Sequence, residues 1–249
     1  MWDPVLDRLA EGRRVFAYDV RGYGTAADAP KPFTMTATAA DLVAVLDALE
    51  LKSAHVAGLS LGGAIARAAA VAAPERFASL TLTAAPDRPV PEAFEQRARL
   101  AETEGMAAVV EPTLERWFTA SALAVGTDGL RYDRDRVPSF DPAAWASIWR
   151  GYRGLDVYDR LRAFSGACAG PRRGADASIP IAGMAAIAAR IGSGARFEVL
   201  PGAPHIQPLE CPEALADALG GFLPEEIDIP QLRRAADVAI AARPTRAAS

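Results

Sequence analysis

Ser60 stands in the stretch Ala57-Gly58-Leu59-Ser60-Leu61-Gly62-Gly63, with a glycine two residues away on either side. A serine alcohol is a poor nucleophile alone. It needs a base within hydrogen-bond reach and an acid that orients the base. The chain holds two histidines, His55 and His205. His55 lies in the short apolar run just before the serine, where it reads as a sheet-packed or hydrogen-bonded structural residue. His205 follows Pro201-Gly202-Ala203-Pro204, a loop just past an apolar run, where α/β enzymes carry active residues. It is the candidate base. Two aspartates between Ser60 and His205 are candidate orienting acids, Asp87 and Asp176, and either satisfies the chain order Ser…Asp…His.

For this chemistry Ser60 must sit on a sharp turn. The apolar run before it reads as a strand and the Ala-rich segment after it as a helix, so G-x-S-x-G falls where a nucleophile elbow belongs. The turn predicts a strained backbone at Ser60, with Gly58 and Gly62 letting strand and helix approach. The five letters alone arise by chance about one time in ten in a chain this long. The alternative is a Gly-rich turn opening a Rossmann-like helix, so the surrounding elements must decide.

Those elements alternate. Asp3-Pro4 opens a helix that stops at Gly12, residues 14–18 read as a strand, and Thr36 is placed to cap a helix carrying Leu42, Val45, Leu46 and Leu49. Residues 78–83 form the next strand, and 195–200 another after a helix over 181–191. The fold class is α/β, a mostly parallel sheet with helices on both faces. From 92 to 162 no convincing strand occurs. Helical patterns cover 94–100, 106–118 and 141–149, and three of the four tryptophans fall here, which points to a helical lid over a pocket. The expected organisation is a core of 1–87 and 163–223, a lid of 88–162, and a tail of 224–249.

Composition narrows the function further. The 249 residues are 51% hydrophobic and 23% charged, enough for one sizeable core. A net charge of -4 argues against nucleic-acid or anionic-membrane partners. Two cysteines build no disulfide framework, so a reducing cytoplasm is the expected location. No secretory signal or membrane-length apolar run is visible, and no metal-ligand spacing or cofactor motif is found.

The chain resembles the α/β-hydrolase superfamily over nearly its whole length. The resemblance rests on Tyr18-Asp19-Val20-Arg21-Gly22-Tyr23-Gly24, the stretch around Ser60, Pro74-Glu75-Arg76, Asp176-Ala177-Ser178-Ile179-Pro180 and Gly202-Ala203-Pro204-His205. Within it, Glu104-Gly105-Met106 and Arg116-Trp117-Phe118-Thr119 are most similar to 3-oxoadipate enol-lactonase-like hydrolases. The resemblance implies a serine hydrolase of esters or lactones, with Ser60 as nucleophile, His205 as base and Asp176 as its acid. It also implies that the Leu61 N–H is one oxyanion donor, and it leaves Asp87 as the alternative acid. The small-molecule substrate needs no cofactor, and the oligomeric state is open.

Two departures from the family pattern stand out. The chain opens downstream of the His-Gly-type loop that gives the family its second oxyanion donor, so the first strands are expected to be missing. Residues 164–175, with Pro171, Arg172 and Arg173, make a poor central strand by composition. Competing readings are therefore a C–C bond hydrolase or perhydrolase with the same triad, and a catalytically impaired fragment or binding module on a hydrolase fold.

Overall fold

The computed structural model describes residues 1–163, 166–171, 179, 181–192 and 195–223. In chain order the elements are α1 (Asp3–Leu9), α2 (Met35–Ala48), β1 (Ala54–Leu59), α3 (Leu61–Ala72), β2 (Phe77–Thr83), α4 (Pro91–Glu104), α5 (Met106–Trp117), α6 (Ala120–Val125), α7 (Asp128–Arg136), α8 (Pro142–Tyr152), β3 (Gly166–Pro171), α9 (Ile181–Ile191), β4 (Arg196–Leu200), α10 (Gln207–Glu210) and α11 (Pro212–Phe222). The four strands form one parallel sheet in the order β1-β2-β3-β4, so all C-terminal ends point the same way.

The expected α/β alternation is present, and between β2 and β3 the described residues form helices and no strand. The core explains the alternation. The alanines of α3 are small enough to bring the helix close over Leu80 and Leu82 of β2, and Met184 and Ile187 of α9 close the same cluster. Fully burying Leu80 and Leu82 contributes about 1.5–3 kcal/mol each. A separate cluster joins Val5 and Leu9 of α1 to Leu200 of β4 and Leu215 and Leu219 of α11. The segment 224–249, read as a tail, lies outside the described residues.

Three expectations need correction. Residues 14–18 join no strand ladder among the described residues, and Phe16 and Tyr18 stay 42% and 36% exposed. A strand exists only with a hydrogen-bonded neighbour, and here β1 is an edge of the sheet with no described strand beside it. The cap of α2 is Thr34, not Thr36. The Thr34 side chain accepts from Ala37 N at 3.1 Å, because burial of Phe33 and Met35 sets the helix entry. Finally, 166–171 does form a central strand. Its neighbours supply the ladder on both sides, and pairing with β2 ends at Ala169. Pro171, lacking an N–H, thus falls beyond the β2 ladder at the strand end.

Candidate active site

Ser60 closes β1 and opens α3. Its N–H donates to Thr83 O at 3.0 Å, extending the β1–β2 ladder, and its own carbonyl accepts from Ala64 N at 3.0 Å, starting the helix. Serving both elements forces φ to 50° and ψ to -111°, a left-handed conformation that non-glycine residues rarely hold. The strain keeps the side chain out of the capping position. The Ser60 side chain makes no capping bond to α3, whose first-turn N–H groups begin with Leu61.

The glycines divide their work differently from the sequence expectation. A Cβ on Gly58 would collide with the Gly62 carbonyl and stand 2.6 Å from Gly63 N. A Cβ on Gly63 would stand 2.6 Å from the Ala85 Cβ and 3.0 Å from Gly58 O. A Cβ on Gly62 would meet nothing within 4 Å. Gly58 and Gly63 therefore permit the close approach, and Gly62 faces open space.

His205 lies in the loop after β4 and is only 3% exposed. Its ring stacks at 24° on Trp117, with centroids 6.5 Å apart. The next residue, Ile206, donates its N–H to Trp117 O at 3.1 Å. Glu210 accepts from Thr119 N at 2.8 Å and from Thr119 Oγ1 at 2.7 Å. The histidine loop is thus tied to the end of α5. Leu59 and Ile206, the chain neighbours of Ser60 and His205, share one apolar cluster with Ala84, Val110, Leu114 and Trp145. His55 is elsewhere: its Nδ1 pairs with Ser79 Oγ at 2.8 Å across the β1–β2 register, the structural role its position predicts.

Of the two candidate acids, Asp176 lies outside the described residues. Asp87 directs its carboxylate at the first turn of α9, where a Cβ on Gly183 would be 3.1 Å from Oδ1.

The helical insertion contributes groups that the sequence reading did not single out. Tyr152, at the end of α8, is 3% exposed and belongs to the apolar cluster against which Leu61, the residue after Ser60, packs. Its ring is held between Trp149 (5.8 Å, 23°) and Phe94 (5.1 Å, 51°). Burial pushes the phenol well above its usual pKa, and Ser60 and the charge of Arg67 pull in the opposite direction. Arg67 is fully buried and donates Nη1 to Asp87 O at 3.3 Å and Nη2 to Pro86 O. Arg97 lies over the Trp149 ring at 4.5 Å, and burial lowers its pKa. Burial, with the charge of Arg97, brings Arg116 down to about 10. The i,i+3 spacing of Trp149 and Tyr152 was a readable sign that they share a helix face.

A parallel sheet with a strained serine between strand and helix, and a histidine in the loop after its last strand, defines a hydrolase of the α/β class. The chain belongs to this family: residues 1–149 match the family model of the alpha/beta hydrolase fold. It is similar to 3-oxoadipate enol-lactonase 1 of Acinetobacter baylyi, at 29% identity over 90% of this chain and 83% of that one. The crystal structure of the enol-lactonase from Burkholderia xenovorans LB400 matches at a TM-score of 0.83 and 30% identity, covering 90% of this chain and 86% of that one. A thermophilic esterase from Thermogutta terrifontis, with malate bound, matches at a TM-score of 0.80 and 27% identity, covering 94% and 85%. The chain is a hydrolytic enzyme with a small-molecule substrate.

Proposed function

We propose that the protein cleaves a small carboxylic ester or lactone through an acyl-enzyme on Ser60. The single observation that carries the reading is the backbone of Ser60, which presents its hydroxyl beside an uncapped helix N-terminus. Ser60 attacks the carbonyl carbon and His205 takes its proton. Asp176, assigned by the family pattern, orients the imidazole, and the Leu61 N–H stabilises the oxyanion. His205 then protonates the leaving oxygen, and water activated by the same imidazole releases the acid. Residues 88–162 serve as the lid over a core of 1–87 and 163–223.

The similar proteins narrow the substrate, their names carrying 3-oxoadipate and malate, both carboxylic acids. The test is turnover of p-nitrophenyl acetate and of a p-nitrophenyl ester bearing a carboxylate, for wild type and Ser60→Ala. The expected result is turnover lost in Ser60→Ala, with higher kcat/KM for the anionic ester. Equal rates for wild type and Ser60→Ala would refute the reading.

A further inference from the structure

We propose that Arg97 sets substrate specificity, its guanidinium binding a free carboxylate at the end of the substrate away from the carbonyl that Ser60 attacks. The proposal rests on the acyl-transfer reading of Ser60 and names the group that recognises the acid.

The placement follows from packing. Two apolar clusters meet at the serine: Leu59 belongs to one, and Leu61 packs against the other. The chain after β2 crosses the same seam, with Ala84 in the first cluster and Ala85 in the second. The Ser60 N–H bond to Thr83 O, at 3.0 Å, ties the two crossings together. Helix α4 spans the seam as well, with Phe94 in the second cluster and Ala101 in the first. Arg97, three residues after Phe94 and four before Ala101, shares their face of the helix. Trp149 packs against both clusters, and the Arg97 guanidinium lies 4.5 Å from its ring centroid and 5.8 Å from that of Phe94. Ser60 and Arg97 are thus two polar groups on one apolar seam, one brought by the elbow and the other by the helical insertion.

Arg97 is half-buried, and among the described residues no carboxylate pairs with it and no acceptor takes its N–H groups. The carboxylates of its own helix serve other cations. Glu95 accepts from Arg99 and Arg150 at 3.1 Å, and Glu102 accepts from Arg150 at 2.6 Å. Residues 95 and 97 are about 200° apart around a helix, so Glu95 cannot turn to Arg97. Arg116 turns back on α5, donating to Pro112 O at 2.6 Å and Thr113 Oγ1 at 3.0 Å. Taking a cation partly out of water without a counter-ion is costly, and a substrate carboxylate supplies the counter-ion. The indole covers one face of the guanidinium and leaves the donors in its plane available. That planar fork matches the two oxygens of a carboxylate. The rings of Phe94, Trp149 and Tyr152 around it keep the pair stronger than on an open surface.

The experiment measures kcat/KM for the 4-nitrophenyl monoesters of glutarate, adipate and pimelate against neutral 4-nitrophenyl esters of the same chain lengths. Wild type is expected to favour the acid by about 10–100-fold at the best length, the worth of a hydrogen bond to a charged group. Added salt should shrink that preference. Arg97→Gln is expected to abolish it while turnover of the neutral esters stays within about threefold. Arg97→Lys should keep part of it, because the charge remains and the fork is lost. No preference in wild type at any length overturns the proposal whatever the variants do. So does an unchanged preference in either variant, or an equal fall for acidic and neutral esters, which marks a packing role. Labelling of Ser60 by a fluorophosphonate, run on each protein, keeps the two readings apart. Labelled wild type without a preference for the acid removes Arg97 alone, whereas an unlabelled Ser60 removes the acyl-transfer reading and this proposal with it.

Discussion

Substituting alanine at Gly58, Gly62 and Gly63 in turn tests the steric account of the elbow. All three belong to one short motif, yet the structure separates them. On Gly63 the new methyl would stand 2.6 Å from the Ala85 Cβ, far inside the 3.5–4.0 Å of an optimal carbon contact. Overpacking of this kind costs about 1–3 kcal/mol. At about 2–4 °C per kcal/mol for a domain of this size, Gly63→Ala should melt roughly 2–12 °C below wild type. Gly58→Ala should be worse, because its methyl meets the backbone of residues 62 and 63, which cannot rotate away. Gly62→Ala meets nothing within 4 Å and removes a poor helix former from α3. The gain in a helix interior is about 0.8–1.0 kcal/mol and is smaller in a first turn, so its melting temperature should match or slightly exceed wild type. Thermal melts followed by circular dichroism give the comparison, and fluorophosphonate labelling reports whether Ser60 keeps its geometry. A loss at Gly62→Ala as large as that at Gly63→Ala, or a wild-type melt for Gly63→Ala, would refute the reasoning.

Other expectations concern stability. Asp133 is buried in the helical insertion with Oδ2 unpartnered among the described residues. Desolvation raises its pKa to about 7 against the pull of the N-terminal amine and Arg136. Between an ordinary carboxyl pKa near 4 and 7 the folded chain keeps a proton the unfolded chain has lost, so stability falls as pH rises across this window, by about 4 kcal/mol. Asp133→Asn should therefore unfold at higher urea than wild type at pH 8 and near wild type at pH 4, and an equal shift at both would exclude the mechanism. Thr34→Ala should destabilise α2 by about 1 kcal/mol, whereas Thr36→Ala should leave the urea midpoint unchanged; the reverse order would restore Thr36 as the cap. Glu210→Ala strips the acceptor from Thr119 N and Oγ1 and should cost about 1–3 kcal/mol together with a fall in kcat, because the histidine loop loses a tie. Stability lost with kcat intact would separate that tie from catalysis.

The sequence made the elbow legible because one turn has to satisfy a strand, a helix and an exposed hydroxyl, and few residues allow that. The α/β alternation was legible for a similar local reason: apolar spacing differs between strands and helices. What stayed hidden depended on neighbours. Three threonines at alternate positions, Thr34, Thr36 and Thr38, are equivalent as letters, and only burial of Phe33 and Met35 chooses Thr34 as the cap. Gly62 and Gly63 are adjacent and identical, and the packing of Ala85 distinguishes them. The strand over 166–171 has a weak composition of its own and is made a strand by β2 and β4. Tyr152 reads as one more aromatic on a helix until the fold sets it between Phe94 and Trp149.

The sheet order β1-β2-β3-β4 has a consequence for synthesis on the ribosome. Each strand docks beside the one made just before it, so the sheet can grow from one edge without waiting for a distant partner. The elbow is complete once Thr83 has emerged, since its carbonyl receives the Ser60 N–H. His205 follows only after the helical insertion and two further strands. A nascent chain thus holds the strained turn at Ser60 long before it holds the loop of His205.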